Sequence, residues 1–314
     1  MKPEVLVMWP TRPGQMDILG ERYSLHRHDR ASDPDALLAQ VGERIEAVVT
    51  NGSWGGLSAA VLARLPNLRV VASSGVGYDS IDVEACTRRG VKVTNTPDVL
   101  TDDVADLAVG LLIAARRGIV EGDRHVRSGA WASTGPMRLM STIAGKRLGI
   151  AGFGRIGQAI ARRAEAMRME IRYFGRRARP EIGYGFEPDL VALATWADIL
   201  VLAIPGGAET GGIVDEKVIR ALGPAGTLIN IARGSVVDEP ALIAALADGG
   251  LGTAGLDVFH NEPRVDPAFA ALENVVLHPH SGSATVETRD AMAQLVVENL
   301  AAHFAGAPLL TPVN

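Results

Sequence analysis

Short apolar runs alternate with amphipathic stretches along almost the whole chain. Residues 5–9, 47–50, 68–74 and 91–95 are four such runs. Each stops at turn-forming residues: Pro10 with Thr11, Arg12, Pro13 and Gly14; Asn51-Gly52; Gly75-Val76-Gly77; and Pro97. The pattern predicts four strands. Helix-period stretches lie between them at 33–47, 58–65 and 80–89. A second series begins with the run 148–151 and continues with strands at 171–174, 199–204, 227–231, 255–258 and 275–277. Helices fit between these at 155–167, 189–196, 216–222 and 239–248. Strands alternating with helices predict βαβ units and parallel sheets.

The two series are joined by a long helix starting at Thr101, with Asp102 and Asp103 at its positive end and Val104, Leu107, Leu111, Leu112 and Ala115 as its apolar stripe. Arg116-Arg117-Gly118 marks its end or a kink. Residues 126–142 read as irregular, with Trp131 favoured as a local packing anchor over an interface residue. Residues 285–304 read as one helix carrying Met292, Leu295, Val296, Leu300 and Phe304, and lying past the last strand they are expected to return to the first domain. The expected division is 1–98 with 285–314, and 99–284.

Composition narrows the classes. The 314 residues are 47% hydrophobic and 21% charged, with a net charge of −5. That is an ordinary globular balance, large enough for about two domains. The absence of a basic block argues against a nucleic-acid partner. Cys86 is the single cysteine, so neither a disulfide within the chain nor a Cys/His metal site is expected, and its bland reading is a small residue packed in a helix. No stretch approaches the roughly 18 apolar residues of a membrane span, and the first residues lack a signal-peptide layout. The expected location is the cytoplasm.

Chemistry enters at Gly152-Phe153-Gly154-Arg155-Ile156-Gly157. A strand, this glycine turn and a helix, in that order, form a dinucleotide-binding pattern. Gly152 suits the tight turn, Gly154 the close approach of a pyrophosphate, and Gly157 close packing of helix on strand. The helix N-terminus offers amides and a positive dipole to phosphates. About 20 residues on, where an acid would hold a ribose 2′-hydroxyl, the chain reads Gly175-Arg176-Arg177. Two guanidiniums and no carboxylate favour a 2′-phosphate, and hence NADPH.

Three further fragments sit at predicted strand ends or in loops: Asn230-Ile231-Ala232-Arg233-Gly234, Asn261-Glu262-Pro263 and His278-Pro279-His280-Ser281-Gly282-Ser283. Reduction of a 2-oxo acid needs a cation for the carboxylate and carbonyl and an acid for the new alkoxide. Arginine and histidine suit these tasks, and a carboxylate orients the imidazole. Gly75 and Gly77 expose amides that could hold a small carboxylate, or serve only as turn glycines.

Over nearly its whole length the chain resembles the D-2-hydroxyacid dehydrogenases. The resemblance is carried by Gly75-Val76-Gly77-Tyr78-Asp79, the stretch from Asn95 to Asp106, the glycine turn, the segment from Asn230 to Gly234, Gly255-Leu256-Asp257-Val258-Phe259, Asn261-Glu262-Pro263 and the segment from His280 to Thr285. Gly175-Arg176-Arg177 and the run from Gly282 to Arg289 resemble the NADPH-preferring glyoxylate/hydroxypyruvate reductases within that family. The resemblance implies two doubly wound parallel-sheet domains, a Rossmann-type nucleotide domain and a smaller flavodoxin-like substrate domain that acts as a lid. It implies catalytic roles for Arg233, Glu262 and His280, and cofactor contacts from Gly152, Gly154, Arg155, Ile156, Gly157, Arg176, Arg177, Ile204, Pro205, Thr210, Ile231, Asp257, His280 and Gly282. Substrate contacts are implied for Asn51, Val76, Gly77, Arg233 and His280.

Asp257 would hold the nicotinamide carboxamide, and His278 is the poorer candidate for the acid. Ile204-Pro205-Gly206-Gly207 departs from the family's Pro-Leu-Thr, so Thr210 is the expected substitute. The cofactor implied is NADP(H), with no metal. The substrates implied are glyoxylate and hydroxypyruvate, with a larger acid such as 2-oxogluconate, or a branched or aryl one, as the alternative. Hinges are implied near 97–101 and 283–285, and a homodimer through 101–142, with Trp131 able to reach the neighbouring site. A dinucleotide-sensing, corepressor-like binding protein is the non-enzymatic alternative.

Overall fold

A computed structural model describes residues 2–314. The chain divides into two compact units: the residues up to Leu100 with Ser283–Asn314, and Thr101–Gly282.

In the first unit, strands β1 (Glu4–Val7), β2 (Ser24–Arg27), β3 (Ile45–Asn51), β4 (Val70–Ser74) and β5 (Lys92–Thr94) form one sheet in the order β2-β1-β3-β4-β5. All neighbours are parallel. The inner strands read as nearly unbroken apolar runs because both faces are covered. Alternation along them splits two cores. Leu6, Val48, Val71 and Val93 pack on one side with Leu38, Leu62 and Cys86. Val5, Ala47, Val49, Val70 and Ala72 pack on the other, with Leu19, Val296 and Leu300. Cys86 is buried in the helix Val83–Arg88, and burial pushes its thiol up to about 11, so it sits there as a neutral apolar side chain. The helix Val286–Phe304 belongs to this unit, capped by the Thr285 side chain.

Sequence and structure part at the edges of this sheet. Pro13–Arg22 is a helix with proline in its first turn, where the run after Pro10 reads as turn alone. β2 was not foreseen, since Ser24-Leu25-His26-Arg27 is half polar and only half-buried. The helix expected at 33–47 stops at Val41, a short turn covers Gly42–Arg44, and β3 starts at Ile45. Gly42 lies so close to the neighbouring chain that a Cβ there would sit 2.4 Å from the Arg64 carbonyl oxygen.

In the second unit, β6 (Arg147–Ala151), β7 (Glu170–Phe174), β8 (Gly185–Phe186), β9 (Ile199–Leu202), β10 (Thr227–Asn230), β11 (Thr253–Leu256) and β12 (Val275–Leu277) form a sheet in the order β12-β11-β10-β9-β6-β7-β8. Every pairing is parallel. The strand order reverses between β6 and β9, which places the ligand crevice of this fold class at their carboxyl ends. The two-residue edge strand β8 left no readable pattern.

The joining helix runs Thr101–Arg117 and ends at Gly118, whose φ is +60°. Arg163, on helix Arg155–Ala166, pairs with Asp106 at 2.6 Å and Asp102 at 3.0 Å, tying that helix to the joining one. Residues 126–142 are not simply irregular: Ile119–Arg127 and Ala130–Thr134 are helical. Trp131 is 62% exposed, so it is no packing anchor within the chain.

Candidate active site

Three strand ends in the second unit build the site. β6 runs into the glycine turn, β10 into Asn230-Ile231-Ala232-Arg233, and β11 into Asp257. The glycines of the turn differ in what holds them. Gly152 has φ +96°, and a Cβ there would lie 2.5 Å from the Ala203 carbonyl oxygen. A Cβ on Gly157 would lie 2.2 Å from the Gly152 carbonyl oxygen. Gly154 has φ −78° and no atom of the described residues within 4 Å of a built Cβ. The fold therefore demands Gly152 and Gly157 but leaves room above Gly154. The helix that follows has no side-chain cap, which leaves its first amides for an anion. Arg155 and Ile156 open that helix, and Phe153 stacks on Tyr173 with ring centroids 4.4 Å apart.

This separation gives a direct test. Gly157→Ala is expected to destabilise the fold by about 2–4 kcal/mol through backbone overlap. Gly154→Ala is expected to stay within about 0.5–1 kcal/mol of the parent stability while weakening dinucleotide binding about tenfold. Thermal unfolding and a binding titration check both.

Past β7, Arg176 and Arg177 are exposed, and among the described residues neither has an ion-pair or hydrogen-bond partner. Ile204 and Ile231 are buried at 7% and 8% exposure, close behind the ends of β9 and β10. Pro205 is exposed, and the Thr210 hydroxyl donates to its carbonyl at 2.7 Å, so Thr210 closes its own loop.

Two of the catalytic candidates in this unit, Glu262 and His280, come into contact. His280 Nδ1 and Glu262 Oε2 are 2.5 Å apart, and Glu262 Oε1 accepts the Phe259 N–H at 2.8 Å. The carboxylate is thus oriented by backbone before it orients the ring. Both side chains are largely covered, at 19% and 18% exposure. Arg233 follows β10, where Asn230 grips the turn: its amide Nδ2 donates to the Arg233 carbonyl and its Oδ1 accepts from the Ala232 N–H, both at 3.0 Å. Arg233 Nη1 donates to the Ala232 carbonyl at 2.7 Å.

Asp257 has a task within the chain that its position after a strand did not disclose. Its carboxylate is 3% exposed and collects three donors: His278 Nδ1 at 2.7 Å, the Ser281 N–H at 2.8 Å and the Gly282 N–H at 3.0 Å. Its carbonyl accepts the His280 N–H at 2.7 Å. His280 itself has φ +48°, a left-handed conformation that costs energy and is held by these bonds. His278 is therefore spent on anchoring the loop that presents His280.

In the first unit, the expected substrate residues sit at the ends of β3 and β4. Gly75 has φ +126° and donates to the Thr96 hydroxyl at 2.8 Å. Among the described residues the Val76 and Gly77 amides donate to no acceptor. Asn51 is buried, and its Oδ1 accepts the Ser53 and Trp54 amides, so that oxygen is committed to its own turn. Among the described residues no group of three or more metal-ligating side chains is present, and no helix is long and apolar enough to cross a membrane.

Two parallel doubly wound sheets, one with a glycine turn at its switch point, define the class of dinucleotide-binding folds. Residues 109–282 match the model of the D-isomer specific 2-hydroxyacid dehydrogenase NAD binding domain. The chain is 51% identical over 309 residues to hydroxyphenylpyruvate reductase from Plectranthus scutellarioides, covering 98% of each. It is 50% identical over 309 residues to a glyoxylate/hydroxypyruvate reductase from Arabidopsis thaliana, again covering 98% of each. A crystal structure of an NADPH-dependent glyoxylate/hydroxypyruvate reductase from Sinorhizobium meliloti, in complex with NADP and malonate, superposes with a TM-score of 0.93 at 41% identity. That match covers 100% of this chain and 97% of the other. The chain belongs to the D-2-hydroxyacid dehydrogenase family, and reduction of 2-oxo acids is the activity its relatives share.

Proposed function

We propose that the protein reduces small 2-oxo acids, glyoxylate and hydroxypyruvate first, to D-2-hydroxy acids with NADPH. The observation that carries the cofactor choice is the pair of guanidiniums, Arg176 and Arg177, exposed and without a partner among the described residues just past β7, where an acid would otherwise select NADH. The room above Gly154 and the uncapped helix N-terminus fit the pyrophosphate of that cofactor.

The reduced nicotinamide supplies the hydride. The remaining work belongs to the chain. Arg233 binds the carboxylate and polarises the carbonyl through its planar fork. His280 gives the proton at Nε2 to the carbonyl oxygen, and Glu262 holds Nδ1 and so orients the ring. The Val76 and Gly77 amides are proposed as further donors to the carboxylate. The first unit acts as the substrate domain. Thr210 and Asp257 are proposed at the cofactor only through the groups their own loops leave open. A homodimer through 101–142 and a cytoplasmic setting belong to the same reading. The exposure of Ile119, Val126, Trp131 and Leu139 along that stretch favours the dimer.

The test is oxidation of NADPH and NADH by the purified protein across a panel of 2-oxo acids. Turnover of glyoxylate and hydroxypyruvate with NADPH preferred is expected. No turnover with any 2-oxo acid would remove the enzymatic reading and leave a dinucleotide-binding protein.

A further inference from the structure

The sheet of the first unit sets three loops side by side. Its central order is β1-β3-β4 and all three strands are parallel, so their carboxyl ends share one edge. Trp9 follows β1, Trp54 follows β3, and Gly75-Val76-Gly77 follows β4. The two indoles stack, with centroids 6.2 Å apart and planes 26° from parallel. They stay 41% and 38% exposed, two large rings kept partly in water at the edge where this fold class takes its ligands.

The loops are locked rather than loose. Asn51 Oδ1 accepts the Ser53 N–H at 2.8 Å and the Trp54 N–H at 3.2 Å, and the Thr50 hydroxyl donates to the Gly55 carbonyl. A Cβ on Gly55 would sit 2.6 Å from Trp9 Cβ, so the Trp54 loop lies directly against Trp9. A Cβ on Gly52 would sit 1.9 Å from the Gly77 carbonyl oxygen, and the Gly52 carbonyl accepts from both the Ser80 N–H and its hydroxyl. The loops that carry the aromatic pair and the Gly75 turn are therefore packed directly on one another at one edge.

We propose that the Trp9–Trp54 pair is a ledge for the side chain of an aryl 2-oxo acid whose carboxylate rests on the Val76 and Gly77 amides. The proposal rests on the reading of the protein as a 2-oxo acid reductase and extends its range beyond the small acids. A flat apolar group laid on an indole face buries apolar area and gains the offset stacking that rings prefer. Glyoxylate has no side chain to place there and gains nothing from the ledge. Trp9 and Trp54 are specificity residues on this account and take no part in proton or hydride transfer.

The experiment compares kcat/KM for phenylpyruvate and for glyoxylate, with NADPH, in the parent protein and in Trp9→Ala, Trp54→Ala, Trp54→Leu and Trp54→Phe. The parent is expected to reduce both acids. The phenylpyruvate-to-glyoxylate ratio is expected to fall about tenfold in each alanine variant and in Trp54→Leu, mainly through KM for phenylpyruvate, and to recover in Trp54→Phe. Trp54→Leu keeps apolar bulk and serves where an alanine variant fails to fold. A ratio unchanged in Trp54→Leu, or a parent that reduces glyoxylate but not phenylpyruvate, overturns the ledge. A parent that reduces neither acid but turns over another 2-oxo acid also overturns the ledge, and one that reduces no 2-oxo acid of the panel overturns the reductase reading itself.

Discussion

Replacing His280 with asparagine is expected to lower kcat for 2-oxo acid reduction by about 10³-fold, within the range of a lost general acid, while NADPH still binds. Asparagine is the informative choice because of the backbone. His280 has φ +48°, a conformation that asparagine tolerates and alanine resists. The substitution thus removes the imidazole without releasing the loop that Asp257 holds through the Ser281 and Gly282 amides. Glu262→Gln provides the companion measurement. The Phe259 N–H can still be accepted, but an amide nitrogen facing His280 Nδ1 would favour the wrong tautomer, and kcat is expected to fall about 10²-fold. Steady-state kinetics and an NADPH fluorescence titration read both variants. Retained turnover in His280→Asn would move the proton donor elsewhere, and lost cofactor binding would show that the loop, rather than the acid, had been disturbed.

What the sequence disclosed and what it withheld follow physical lines. Buried parallel strands announce themselves as apolar runs, so β1, β3, β4 and the inner strands of the second sheet were legible, along with the turns that end them. The edge strands β5 and β12 were legible too, but the edge strands β2 and β8 were not. β2 is half polar and β8 spans two residues, and neither needs a buried pattern to pair along one side. The helices at 119–127 and 130–134 were missed because the first carries only Ile119, Val120 and Val126 as large apolar residues and the second spans five residues. At the site, Arg233, Glu262 and His280 stood out by residue type and neighbours, and the structure brings Glu262 and His280 into contact. The work of Asp257 on the His280 loop was invisible, since its donors lie more than 20 positions away and meet it only after the strands align. Asn51 was chosen for substrate, yet its oxygen serves the turn that carries Trp54. The Trp9–Trp54 stack joins two loops that only the strand order makes neighbours.

Removing both guanidiniums past β7, in Arg176→Ala/Arg177→Ala, is expected to lower kcat/KM for NADPH by about 30- to 100-fold relative to NADH. Each charge-assisted contact to a phosphate is worth about 1.5–3 kcal/mol when well formed, and exposure at this loop trims each to about 1–1.4 kcal/mol. Tenfold corresponds to about 1.4 kcal/mol, so two trimmed contacts give the range stated. The loss should appear in KM, since the 2′-phosphate is remote from the transferred hydride and is bound equally in ground and transition states. Salt sharpens the test. Exposed charge pairs weaken as the Debye length shrinks, so KM for NADPH in the parent protein should rise with ionic strength more steeply than KM for NADH, and the double variant should lose that difference. Arg176→Asp goes further: a carboxylate at the end of the second strand of the nucleotide unit repels a 2′-phosphate and can accept from a ribose 2′-hydroxyl, so the preference should reverse toward NADH. Equal losses for both cofactors, or a salt response that the double variant retains, would place the selection of the 2′-phosphate on other residues.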